Sequence, residues 1–128
     1  MTRAFRFSKG SKANLVGVHP DLVAVAYRGL SLSPYDFGIT DGLRTAEHQR
    51  TLVAAGASDT LKSKHLTGDA FDFAVWINGK ISWEFHYYEK VKDALQQAAD
   101  EYGVKIRWGG TFRLKNGGKD GPHIERVA

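Results

Sequence analysis

The chain has 128 residues, 42% of them hydrophobic and 25% charged, with a formal net charge of +4 and no cysteine. Such a chain can bury one core as a single domain over 1–128, and the composition excludes disorder, disulfides, zinc ribbons and thiol nucleophiles. The modest basic excess, with Arg3, Arg6, Lys9 and Lys12 near the start, would draw the chain toward any polyanion, but no nucleic-acid motif accompanies it and nucleic-acid binding is not expected.

The first residues, MTRAFRFSKGSKANL, lack the apolar h-region of a signal peptide. No apolar run approaches the ~20 residues that cross a bilayer, so stable membrane insertion is not expected. Pro20 suits the first turn of a helix that continues through Leu22, Val25, Ala26 and Leu30. SLSPYD breaks it, and Phe37 to Thr40 reads as a short extended piece. Thr45 is placed to cap a second helix running to about Ala55, with Gly56 as its stop.

Asp69 to Ile77 alternates and is rich in aromatics, the signature of a strand. Asn78-Gly79 is a preferred tight-turn pair, returning the chain through Lys80 to Trp83. Phe85, Tyr88, Val91, Leu95, Ala98 and Tyr102 then mark one stripe of a long helix that Gly103 ends. Val104 to Trp108 and His123 to Val127 read as two further strands, joined by a glycine-rich loop from Gly109 to Gly121. The expected class is α+β, with helices packed on a small, mostly antiparallel sheet.

Asp72 stands out because every neighbour in FDFAVW is apolar or aromatic. A buried ionised carboxylate costs several kcal/mol or more unless a cation or strong donors compensate. Strand alternation puts it on the face of Ala70, Ala74 and Trp76. Its compensation could come from backbone amides, from an arginine such as Arg44, or from a metal ion. His65, one short loop upstream, could converge on it. His123 could join them from the last strand in DGPHIE, with Glu125 on its own face and Asp120 three residues earlier. Two His and a carboxylate form a common catalytic zinc set with room for water, and Asp120 is placed to take a proton from that water. His19, His48 and His86 read as surface or satisfied core residues, and neither His48 nor His86 has a second ligand at metal spacing. Scattered structural residues could give the same pattern, and the spacing matches no helix-borne HExxH site.

SKHLTGDAFD resembles the SxHxxGxAxD signature of the VanX/VanY-type zinc peptidases, and DGPHIE resembles their second signature. SPYDFGITDGLRTAEHQ is similar to the region that ends in their arginine motif. The likeness covers nearly the whole chain. Within the family it is strongest to the phage L-alanyl-D-glutamate endopeptidases, the endolysins of T-five-like coliphages.

The resemblance implies a Hedgehog/D-Ala-D-Ala peptidase-like fold, Zn2+ held by His65, Asp72 and His123, and Asp120 as general base. Arg44 would contact substrate and support the developing oxyanion, Ser63 would contact substrate or fix the His65 loop, and Gln49 would line the cleft. Gly68 and Ala70 take structural roles in this reading.

By the same resemblance the chain is expected to be a monomeric endolysin that hydrolyses the peptide stem of bacterial peptidoglycan at L-alanyl-D-glutamate. It would stay in the host cytoplasm until a holin releases it to the periplasm and wall, without a separate wall-binding domain. The alternatives are a D-Ala-D-Ala carboxypeptidase or dipeptidase, and a noncatalytic zinc-containing wall-binding module. One stretch departs from the phage pattern: where those relatives carry an acidic, calcium-regulated insertion, TFRLKNGGKDGPH is short and basic, so no calcium switch is expected.

Overall fold

The computed structural model describes residues 5–58, 62–111 and 119–127. Most of the basic stretch expected to lack a calcium switch lies outside them. Ser8 caps a short helix α1 (Lys9–Asn14) by accepting from the Ser11 amide. Helix α2 (Pro20–Leu32) carries Pro20 in its first turn, and His19 Nδ1 caps it by accepting from the Asp21 amide at 3.1 Å. Strand β1 (Asp36–Asp41) follows. Thr45 caps α3 (Ala46–Ala54), accepting from the His48 amide.

A 3-10 turn (Lys64–Thr67) leads into β2 (Ala70–Ile77). Asn78 and Gly79, at φ 52 and 77, form the tight turn whose twist matches a hairpin, and β3 (Lys80–Ser82) returns along β2. Helix α4 (Phe85–Tyr102), β4 (Ile106–Trp108), a second 3-10 turn (Gly109–Thr111) and β5 (His123–Arg126) complete the chain. The sheet runs β1-β2-β5-β4, with β3 on the far end of β2, and every pairing is antiparallel.

Alternation divides the sheet into two chemical faces. Phe37, Ile39, Phe71, Phe73, Val75 and Ile124 are buried with Leu22, Val25, Ala26 and Leu30 of α2 and Tyr88, Val91, Leu95 and Ala98 of α4. Each large side chain so buried contributes roughly 1.5–3 kcal/mol, which holds the helices to this face. Asp72, Ala74 and Trp76 fall on the other face. The register sets His123 opposite Asp72 and Glu125 opposite Ala70, and directly paired residues share a face. One rigid surface therefore carries a His–Asp pair from two neighbouring strands.

Three features differ from what the sequence predicts. Helix α1 is not marked by any periodicity. It lies along the edge strand, where the Ile39 amide donates to Ser11 Oγ at 3.0 Å and Asn14 Nδ2 donates to the Ile39 carbonyl at 2.8 Å. Strand β4 begins at Ile106 rather than Val104, because the Val104 amide still bonds back to the Ala99 carbonyl past the helix end at Gly103. The α4 stripe is buried only in its middle, since Phe85 and Tyr102 at its ends are exposed.

Candidate metal centre

His65 is fixed from both sides. Ser63 caps the turn and accepts from the His65 amide at 3.1 Å, while the His65 carbonyl accepts from the Arg44 amide at 2.9 Å. Gly68 ends the turn at φ 75, and a Cβ there would stand 2.3 Å from the Gly17 carbonyl oxygen, so only glycine lets the loop lie this close. The His65 ring is 2% exposed and its Nδ1 lies 2.7 Å from the Gly42 carbonyl. A carbonyl only accepts, so Nδ1 donates to it, and Nε2 is turned to Asp72 Oδ1 at 3.3 Å, a contact that needs a proton or a metal ion between the two atoms.

His123 repeats this arrangement with its nitrogens exchanged. Nε2 lies 2.9 Å from Glu125 Oε1 and donates to it, leaving Nδ1 facing Asp72 Oδ1 at 3.2 Å. Each imidazole thus has one nitrogen tied outward to an acceptor and the other aimed inward, as metal-ligating histidines do. One ligand atom from each of His65, Asp72 and His123 lies within 4.8 Å of the others. Tetrahedral bonds of ~2.0–2.2 Å set ligand atoms ~3.3–3.6 Å apart. The two N–O separations of 3.3 and 3.2 Å lie close to that spacing, so the three side chains could hold one metal ion.

Lone pairs converging on a carboxylate need a positive charge, and a proton supplies it when no metal does. Burial lowers the His123 pKa, but the hydrogen bonds the ring makes to the Asp72 and Glu125 carboxylates outweigh it and push the ring up to about 9. Burial raises Asp72, yet the bonds to His123 and His65 hold its carboxyl well below the usual carboxylate range. Asp72 Oδ2 also faces Arg44 at 3.7 Å, so the arginine adds to the compensation without replacing the imidazoles.

Asp120 sits beside the cluster, its Oδ2 4.0 Å from His123 Nδ1. Burial raises its pKa, and the neighbouring charge of Asp72 raises it further against the pull of His123, His65 and Arg44. Its loop is clamped: the Asp120 amide donates to the Gly109 carbonyl at 2.9 Å, and Trp108 Nε1 donates to the Gly121 carbonyl at 2.7 Å. A Cβ on Gly109 would fall 2.2 Å from the Asp120 carbonyl oxygen, so the two backbones touch.

Arg44 faces the site from the loop after β1. Asp41 binds its Nε at 3.0 Å and also its terminal nitrogen, and Gln49 Oε1 accepts from the other terminal nitrogen at 2.7 Å. Gln49, expected to line the cleft, is instead 0% exposed and stands behind Arg44, with its Nε2 donating to Ser58 Oγ at 2.8 Å. Sequence reasoning assigns Asp41 no part and Glu125 only a place on the His123 face. Their signals are the spacing DGLR, which puts acid and arginine three apart, and the alternation HIE, which puts Glu125 on the face of His123.

Fold and site together define a class: a small α+β domain whose sheet can hold a metal ion next to a second acid and a guanidinium. The sequence profile of the phage L-alanyl-D-glutamate peptidases matches residues 3–127, and the chain belongs to that family. It is 44% identical to the L-alanyl-D-glutamate peptidase of Escherichia phage T5, over 97% of this chain and 99% of that one. A Listeria phage L-alanyl-D-glutamate peptidase is 32% identical over 68% of this chain and 29% of its own length. The crystal structure of the Serratia marcescens L-Ala D-Glu endopeptidase ChiX superposes with a TM-score of 0.88 at 42% identity, covering 98% of this chain and 92% of that one.

Proposed function

We propose that the chain is a zinc-dependent endopeptidase that hydrolyses the peptide stem of bacterial peptidoglycan at the L-alanyl-D-glutamate bond. The observation that carries the reading is the convergence of two outward-tethered imidazoles on Asp72 beside a second acid whose pKa is raised. His65, Asp72 and His123 would hold the ion. Bound there, zinc would supply Lewis acidity that makes water a nucleophile near neutral pH.

Asp120 takes the proton released as water attacks the alanyl carbonyl, then hands it to the departing amine of D-glutamate. Its raised pKa suits both halves of that transfer, since a group closer to neutrality accepts and returns a proton more readily. Arg44, held by Asp41 and Gln49, directs its guanidinium at the carbonyl oxygen as negative charge develops there. Ser63 acts by holding the His65 loop.

The same reading has the protein working as a monomer at the wall after holin-dependent release from the host cytoplasm. No helix among the described residues is long and apolar enough to cross a membrane. Digestion of purified peptidoglycan tests the reaction: each cut should expose a new D-glutamate amino terminus. Release of free D-alanine with no new D-glutamate terminus would replace it with carboxypeptidase action.

A further inference from the structure

A second concave site lies at the hairpin end of the sheet. It encloses about 480 Å³ and is lined by Phe5, Tyr35, Asp36, Trp76, Asn78 and Tyr87 among others. Its size and make-up, aromatic rings beside a nearly equal share of polar surface, suit a small ligand or one unit of a polymer. The Tyr35 and Tyr87 rings meet edge to face at 5.0 Å, which stiffens one wall. Trp76 on the other side is 40% exposed, although Ala70 to Val75 of the same strand are buried apart from Asp72.

The lining selects against anions. Among the described residues that line it there is no lysine, arginine or histidine, and the one charged group among them is the half-buried carboxylate of Asp36. Peptide stems carry free carboxylates and would be repelled. A neutral sugar ring fits both features: its hydroxyls can donate to the Asp36 carboxylate and Asn78 amide, and its apolar C–H face can rest on an aromatic ring.

The location ties this site to the metal centre. Trp76 is four residues from Asp72 on the same face of β2, about 13 Å away at ~3.3 Å per residue. Gly38 pairs with Ala74, between them, and a Cβ on Gly38 would stand 3.5 Å from Trp76 Nε1. The indole therefore leans toward the Asp72 end, where Ser11 of α1 also lies over Gly38, 3.0 Å from the position of a Cβ, and Ala74 is buried. In peptidoglycan the alanine of the scissile bond is the first residue of the stem, so one extended residue of ~3.5 Å and a lactyl link separate the cut from the glycan. A strand whose stem reaches the metal centre brings its neighbouring sugars within reach of Trp76.

Resting on the peptidase reading above, we propose that Trp76, Asp36 and the aromatic cavity beside them form a saccharide subsite that holds the glycan strand while its stem is cut. The subsite should bind N-acetylated sugar chains on its own and lower the KM for whole wall relative to sugar-free stem peptide.

The test has two arms. In the first, triacetylchitotriose is titrated into the full chain while nitrogen–proton spectra follow the Trp76 indole. A saturable shift at Trp76, weakened in Trp76→Ala and in the isosteric Asp36→Asn, is expected. No shift at Trp76, or a shift caused instead by an acidic stem peptide, overturns the proposal.

In the second arm, Trp76→Ala should raise KM for purified wall roughly three- to ten-fold, the scale of one lost aromatic contact, with sugar-free stem peptide cleaved as by the parent. Equal wall KM in parent, Trp76→Ala and Asp36→Asn also overturns it. Failure of the parent to cut any stem would instead remove the peptidase reading, and the titration would still decide the saccharide site.

Discussion

Glu125 has no place among the metal ligands, yet the geometry makes it a determinant of metal affinity. Its carboxylate accepts from His123 Nε2 at 2.9 Å in a site where both residues are below 10% exposed. That bond fixes the tautomer that turns Nδ1 toward Asp72 and the metal position. The attraction is mutual: His123 holds the Glu125 pKa below its ordinary value, with burial opposing and Arg107 and Lys64 adding to the effect.

In Glu125→Gln the charge is lost while the volume stays. The new amide can still accept from Nε2, or it can donate to Nε2 and drive the proton onto Nδ1, the ligand atom. A buried charge-assisted hydrogen bond contributes about 1.5–3 kcal/mol, which corresponds to roughly 10- to 100-fold in zinc affinity, as for other partners of metal-bound histidines. Competition against a chromophoric chelator at fixed pH would measure it, with thermal unfolding of the metal-free proteins as a control for folding. Activity at saturating zinc should stay near that of the parent. Equal zinc affinity in the two proteins, both folded, would refute the role given to Glu125.

Other substitutions separate metal holding from proton transfer. Asp120→Asn should keep zinc at parental stoichiometry and lose about 100- to 10,000-fold in turnover on wall, the range for a positioned acid–base group; parental turnover would remove Asp120 from the chemistry. Gly109→Ala, whose Cβ would stand 2.2 Å from the Asp120 carbonyl oxygen, should displace the Asp120 loop and lower both kcat and Tm; an unchanged kcat would show that the loop is held elsewhere. Asp41→Asn weakens one of the two holds on the Arg44 guanidinium while leaving the metal ligands in place, and should lower kcat/KM while zinc content stays constant. In the metal-free protein the His123 pKa is raised from 6.5 to about 9, so its protonated form contributes stability that is complete below pH 6.5 and lost as pH rises through 9. Denaturant unfolding of the metal-free chain across that window should show the decline attributable to this group, and His123→Ala should remove that component.

Sequence exposes most of what local chemistry fixes. Helix α2, the Asn78-Gly79 turn, the Thr45 cap and the middle of α4 each depend on neighbouring residues, and each is found where periodicity or a cap predicts it. Helix α1 escapes that reading because its six residues carry no amphipathic stripe; it is held by Ser11 and Asn14 bonding to a strand 25 to 28 residues away. Asp72 is visible as a carboxylate among aromatics, but which cations answer it depends on how β2, β5 and the His65 turn come together. Gln49 shows the limit most clearly. Its polarity points to a cleft, whereas packing gives its amide to Arg44 and Ser58 and excludes it from solvent.

On the proposed function, one zinc ion neutralises Asp72 together with two imidazoles that approach from a turn and from a neighbouring strand. X-ray absorption at the zinc edge of the loaded chain tests it directly, with metal content measured beside His65→Ala and His123→Ala. One zinc per chain is predicted, with two imidazole nitrogens at ~2.0–2.1 Å and oxygen completing the shell, and each variant should lose the tightly bound ion. A shell of oxygens alone, or full zinc retention by both variants with an unaltered spectrum, would contradict the account.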